Sequence, residues 1–161
     1  MKRRYWSNRR KGCRGAEVIE VALIIVPLFG MIFLTLDLSM AVFLRSTFQH
    51  AVREGVRYGI TGANDTGPCQ DDSIKAIVKQ RALGFLNSTT NAQKIHVRFT
   101  SPVTGSQSDN APGNIIQVSV EGYQFTPLAP FQRPGKPYMW ARAYDVMEPY
   151  PGGHPCRTVI E

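Results

Sequence analysis

At 161 residues, a chain that spends its first forty-odd on a basic leader and an apolar segment has room for one small folded domain. The net charge of +7 points to an acidic partner only until it is divided. Lys2, Arg3, Arg4, Arg9, Arg10, Lys11 and Arg14 carry all of it, and the remainder balances at twelve basic against twelve acidic residues, so a nucleic-acid partner loses its main support.

The leader runs into Gly15-Ala16-Glu17-Val18-Ile19-Glu20. From Val21 to Leu36 no residue is charged, and after Asp37 the apolar run resumes from Leu38 to Leu44. As a helix, Val21 to Leu44 measures about 36 Å, enough to cross a bilayer core of about 30 Å. Basic residues crowd its N-terminal side, which puts the N-terminus in the cytoplasm and everything after Arg45 outside. A secretory signal has a shorter apolar region and a small-residue cleavage site after it. Here the run is too long, and the small residue, Gly15, precedes it. A plain single-pass anchor explains the length and the basic flank, but not Gly15-Ala16 followed by Glu20.

That arrangement resembles the class III signal of type IV prepilins: a basic leader, a glycine, and a glutamate fifth in the mature chain. The resemblance implies a prepilin peptidase cutting between Gly15 and Ala16. The new amine on Ala16 would lie one helical turn from Glu20 on the same face. A carboxylate in the membrane is expensive unless paired, and the amine of its own or a neighbouring subunit would pair it. A position at headgroup depth is the other account of Glu20. Pro27 falls inside the segment and predicts a kink or loosened turn, tolerated where neighbours re-satisfy the freed carbonyl. Asp37 lies well inside the apolar run, flanked by Thr35 and Ser39, with no basic residue within one turn. Either a partner subunit supplies its counter-charge, or it marks the outer boundary and reaches water.

Beyond the membrane the helical period continues. Leu44, Phe48, Ala51, Val52, Gly55 and Gly59 share one face, and Arg45, Gln49, Arg53 and Arg57 form a second stripe pointing to water. Ala51, Gly55 and Gly59 are stacked four apart, and each helical glycine costs about 1 kcal/mol relative to alanine. Such a line implies very close packing, against the domain's own sheet or a neighbouring helix. Fraying at Gly59 would equally explain that residue alone.

Taken together, Arg14-Gly15-Ala16 through Ala51-Val52-Arg53-Glu54-Gly55-Val56-Arg57-Tyr58-Gly59 resembles the TadE-like family. Asp37 occupies the family's midway acidic position, and Arg53, Glu54, Gly55, Arg57 and Tyr58 match its closing element; Val21 departs from it, where many relatives carry an aromatic residue. The resemblance implies a pilin-like minor protein (pseudopilin) of a tight-adherence, type IVb pilus. It would sit in the bacterial inner membrane with its C-terminal domain periplasmic or carried into a fibre, packing against other pilin-like subunits. An uncleaved, anchored periplasmic scaffold or binding protein is the alternative.

The rest of the chain reads as a small α+β domain. Thr61 to Pro68 is turn-rich and ends the first helix. Asp71, Asp72 and Ser73 cap a second helix, with Ile74, Ile77, Val78, Arg81 and Phe85 in phase and Asn87-Ser88 ending it. Ile95, Val97 and Phe99 alternate as one strand; Ile116, Val118 and Val120 form another, closed by Gly122. Ser101 to Asn114 is a long loop or open hairpin. Pro127, Pro130, Pro134 and Pro137 make the following link irregular, and Met139 to Val146 is a third strand. The segment Asn114 to Val120 and the proline-bearing crossing also look TadE-like. The expected organisation is a leader at 1–15, a membrane and extended helix at 16–60, and an exported domain at 61–161, with the sheet short and antiparallel as in pilins. Cys13 falls on the reducing side, whereas Cys69 and Cys156 are both exported, which favours a disulfide between them over free thiols or a metal site. His50, His96 and His154 show no paired metal-ligand spacing, and no nucleophile elbow or phosphate loop is present. No enzyme, cofactor or metal is expected.

Overall fold

The computed structural model describes residues 14–62, 69–128, 136–149 and 156. The leader before Arg14, most of the turn ending at Pro68, the link around Pro130 and Pro134, and the tail with His154 lie outside the described residues. The elements in order are α1 (Arg14–Ile60), α2 (Gln70–Arg81), α3 (Thr89–Ala92), β1 (Ile95–Thr100), β2 (Ile115–Gln124) and β3 (Tyr138–Val146). The fold is α+β: a long N-terminal helix, a second helix and a three-stranded antiparallel sheet in the order β1-β2-β3.

One helix carries two environments. α1 runs unbroken through Pro27 for 47 residues. Its apolar first half is exposed on all sides and is long and apolar enough to cross a membrane. Its second half is amphipathic and buries Leu44, Phe48, Ala51, Val52 and Val56. These pack with Ile74, Val78 and Ala82 of α2 onto one face of the sheet, built from Ile95, Val97, Phe99, Ile116, Val118, Val120 and Ala141. Along β1 burial alternates residue by residue, as a sheet covered on one face requires.

Local backbone chemistry shifts three boundaries from the sequence expectation. α2 stops at Arg81 because Leu83 (φ 52°) and Gly84 (φ 87°) turn left-handed. Phe85 therefore leaves the helix and meets Phe43 and Phe48 edge-on, with ring centroids 6.3 and 6.4 Å away. The N-cap of α2 is Cys69, with extended backbone and no capping side chain; Asp71 and Asp72 sit in the first turn, where carboxylates complement the helix dipole. β2 does not close at Gly122. A register shift between Val120 and Tyr123, with Gly122 at φ 69°, forms a bulge that returns Tyr123 to the core against Phe48, 4.8 Å between centroids.

Candidate functional site

The sites expected on α1 occupy three levels. At the lowest, Gly15, Glu17 and Glu20 are exposed, and a methyl group added at Gly15 would meet nothing within 4 Å. The side chain of Ala16 is outside the described residues. Glu20 has no hydrogen bond or ion pair among the described residues, so nothing shown in this single chain neutralises it.

Asp37 forms the second level, and within this chain it does not reach water: it is 3% exposed, and its carboxylate accepts the backbone N–H of Leu128 at 2.7 Å. The donor, Leu128, belongs to the chain's own β2–β3 connection, 91 residues away. A backbone donor to a carboxylate is a charge-assisted bond, roughly twice as strong as a neutral one. Thr35 and Ser39 play no part in it; their hydroxyls donate to the carbonyls one turn back, of Met31 and Thr35.

The third level is the packed half of the helix. A Cβ built at Gly55 would lie 2.6 Å from Val78 Cγ2, and one at Gly59 2.5 Å from Ile116 Cδ1 and 3.0 Å from Ile74 Cδ1. With Ala51 fully buried, the small-residue line is consumed by the chain's own α2 and β2. Gly59 does not fray; it is buried inside α1. Arg53 and Arg57 face water, while Glu54 and Tyr58 are half-buried. Glu54, Arg57 and Tyr58 line an open groove of about 290 Å³ with Thr61, Ile77 and Arg81. The lower half of the expected water-facing stripe instead grips the sheet edge. Gln49 Nε2 donates to the Arg142 carbonyl at 3.1 Å, and the Arg45 guanidinium stands 5.8 Å from the Trp140 ring centre.

Above this level Cys69 and Cys156 are joined, their Cα atoms 4.9 Å apart across a separation of 87 residues. The adjoining residue is one that no sequence pattern marked. Gln70 is fully buried, and its Nε2 donates to the Gly59 carbonyl at 2.8 Å while its Oε1 accepts from Asn110 Nδ2 at 2.7 Å. Its backbone N–H donates to the Cys156 carbonyl at 3.0 Å. One side chain thus ties the end of α1 to the β1–β2 loop, beside the disulfide.

Among the described residues no three His, Cys, Asp or Glu side chains cluster to hold a metal ion. His50 is exposed and His96 lies half-buried, outside the core, on β1.

The family model of TadE-like proteins matches residues 15–57. The match takes in Gly15, Glu20, Asp37, Ala51, Arg53, Glu54, Gly55 and Arg57, and ends before Tyr58, Gly59 and the sheet. No curated protein and no solved structure matches the chain.

Proposed function

We propose that this TadE-like chain is a minor pilin-like subunit that assembles or initiates a Tad-type pilus, held in the inner membrane by the first half of α1. The observation that carries the reading is the division of α1. Its first half offers an apolar surface that is not buried among the described residues, while one face of its second half is packed into the domain. A helix so divided is suited to exchanging lipid for the helices of other subunits without disturbing its own fold. In this reading a prepilin peptidase removes Met1 to Gly15. The amine freed on Ala16 then pairs with Glu20 of the same or a neighbouring subunit. The chain supplies no catalytic step; it acts by packing.

The test is the mass of the native protein from cells with an active peptidase. A species beginning at Ala16, restored to full length by Gly15→Leu, is the expected result. An N-terminus at Met1 in the wild-type protein removes the pilin reading and leaves an uncleaved anchored scaffold.

A further inference from the structure

Four contacts, two of them to β3 and one on either side of it in the chain, set α1 and β3 side by side. Asp37 meets Leu128, Arg45 meets Trp140, Gln49 meets Arg142, and the Glu148 N–H donates to the Ile60 carbonyl at 3.2 Å. The partner numbers rise together, so β3 runs in the direction of α1. From residue 45 to 60 the helix rises about 22 Å, and from 140 to 148 an extended strand covers about 26 Å, so the two keep pace. Leu128 and the start of β3 therefore lie at the rim of the domain nearest the apolar half of α1.

We propose that this rim is a lipid-facing surface, seated on the phosphate layer of an anionic phospholipid bilayer; the inference rests on reading α1 as a membrane span. With Glu20 at the inner boundary, a core of about 30 Å takes about twenty residues and ends near residue 40. Arg45 then lies about 7 Å further out, within the headgroup layer. There the chain assembles the residue types that such a layer selects. Tyr138 and Trp140 are 68% and 57% exposed, and they share one face of β3 with Arg142. Two guanidiniums flank the indole, Arg45 at 5.8 Å and Arg142 at 5.5 Å from its centre, and neither has a carboxylate partner among the described residues. Lys136 is exposed just below them, and Leu128, 70% exposed, is held against the helix by Asp37. Amphipathic rings settle at the headgroup level, and arginines beside them pair with phosphate. Asp37 then acts as the pin that holds Leu128 onto the span, so the domain stands on the bilayer in one orientation rather than swinging from a tether.

The experiment uses the full chain carrying Trp6→Phe, which leaves Trp140 as the one indole of the two in the sequence. The protein is placed in nanodiscs of phosphatidylglycerol or phosphatidylcholine at one copy per disc, with lipids brominated near the headgroup end of the chain. Trp140 emission should be blue-shifted and quenched in the anionic discs. Arg45→Gln and Arg142→Gln should each weaken the contact about five-fold. An inserted protein whose Trp140 stays unquenched, with the emission of an indole in water, overturns the proposal. So does quenching or a shift confined to discs carrying two copies, which assigns the face to a second chain. Failure of the protein to co-elute with the discs overturns the membrane reading of α1 itself, and this one with it.

Discussion

Gly55→Ala measures how closely α1 and α2 are locked. The new methyl would lie 2.6 Å from Val78 Cγ2, with Ile74 Cγ2 at 3.5 Å and Val118 Cγ1 at 3.6 Å behind it. Val78 is fully buried in α2, and a helical valine is held almost entirely in one χ1 rotamer, so it has nowhere to turn. The helices must part instead. Overpacking of this kind costs about 1–3 kcal/mol, against which alanine returns about 1 kcal/mol of helix propensity. The net expectation is a loss of about 0–2 kcal/mol. Gly59→Ala should be milder, because its nearest obstacles are the terminal Cδ1 atoms of Ile116 and Ile74, which can swing about χ2. The sharper measurement is a double-mutant cycle. Val78→Ala alone removes two buried carbons, about 1.6 kcal/mol of transfer energy before any cavity term, yet it also removes the atom that the new methyl would strike. Urea unfolding of the full-length protein in nanodiscs, followed by near-ultraviolet circular dichroism, should show the double variant more stable than additivity predicts by about 0.5–3 kcal/mol. Strict additivity, or Gly55→Ala raising the midpoint, would refute the claim that the glycine line is a contact surface within the chain.

Gln70→Ala should cost about 1–3 kcal/mol, since it removes two buried hydrogen bonds, one to the Gly59 carbonyl and one from the Asn110 amide; a change below about 0.5 kcal/mol in the same unfolding assay would show that the bridge is ornamental. Reducing Cys69–Cys156, or replacing both with serine, should lower stability by about 3–5 kcal/mol in the chain-entropy model, and neither thiol of the native protein should react with an alkylating agent before reduction. Glu20→Ala should leave cleavage and insertion intact while lowering recovery in pili or subunit complexes; normal assembly would make the carboxylate an interfacial residue only. Burial pushes the Tyr123 phenol above its ordinary value of 10.0. A raised folded-state pKa favours the neutral form, so this phenol opposes unfolding least above its ordinary value, where the unfolded chain ionises first and stability falls as pH climbs. Tyr123→Phe should flatten that alkaline loss, which stability measured across the range would reveal.

What could be read from the residues, and what could not, divides along the range of the interactions. The long helix was legible because its signal is local and repeated: an uncharged run, then a stripe at three- and four-residue spacing from Leu44 to Gly59. β1 and the centre of β2 were legible for the same reason at period two. The errors fall where one residue's backbone decides the outcome. Phe85 is in phase with α2, but a left-handed pair at Leu83 and Gly84 intervenes; Gly122 resembles a strand end, but serves as a bulge because Tyr123 has a core to return to. The glycine line was half-legible. Its spacing demanded close packing, yet spacing alone is the same whether the partner is another helix or Val78 and Ile116 of the same chain.

Asp37 was the hardest, for a physical reason. One of its partners is a backbone N–H, which every residue but proline carries, so no composition or charge pattern along the chain could single out Leu128. A carboxylate that accepts a main-chain donor from its own chain has, in the proposed pilin-like reading, a consequence for assembly. An acid neutralised by another subunit would make insertion and partner binding a single event. One hydrogen-bonded within its own chain would let such a subunit stand complete in the membrane beforehand, and Glu20 would then be the charge matched when subunits meet, as the Glu20→Ala assembly assay tests.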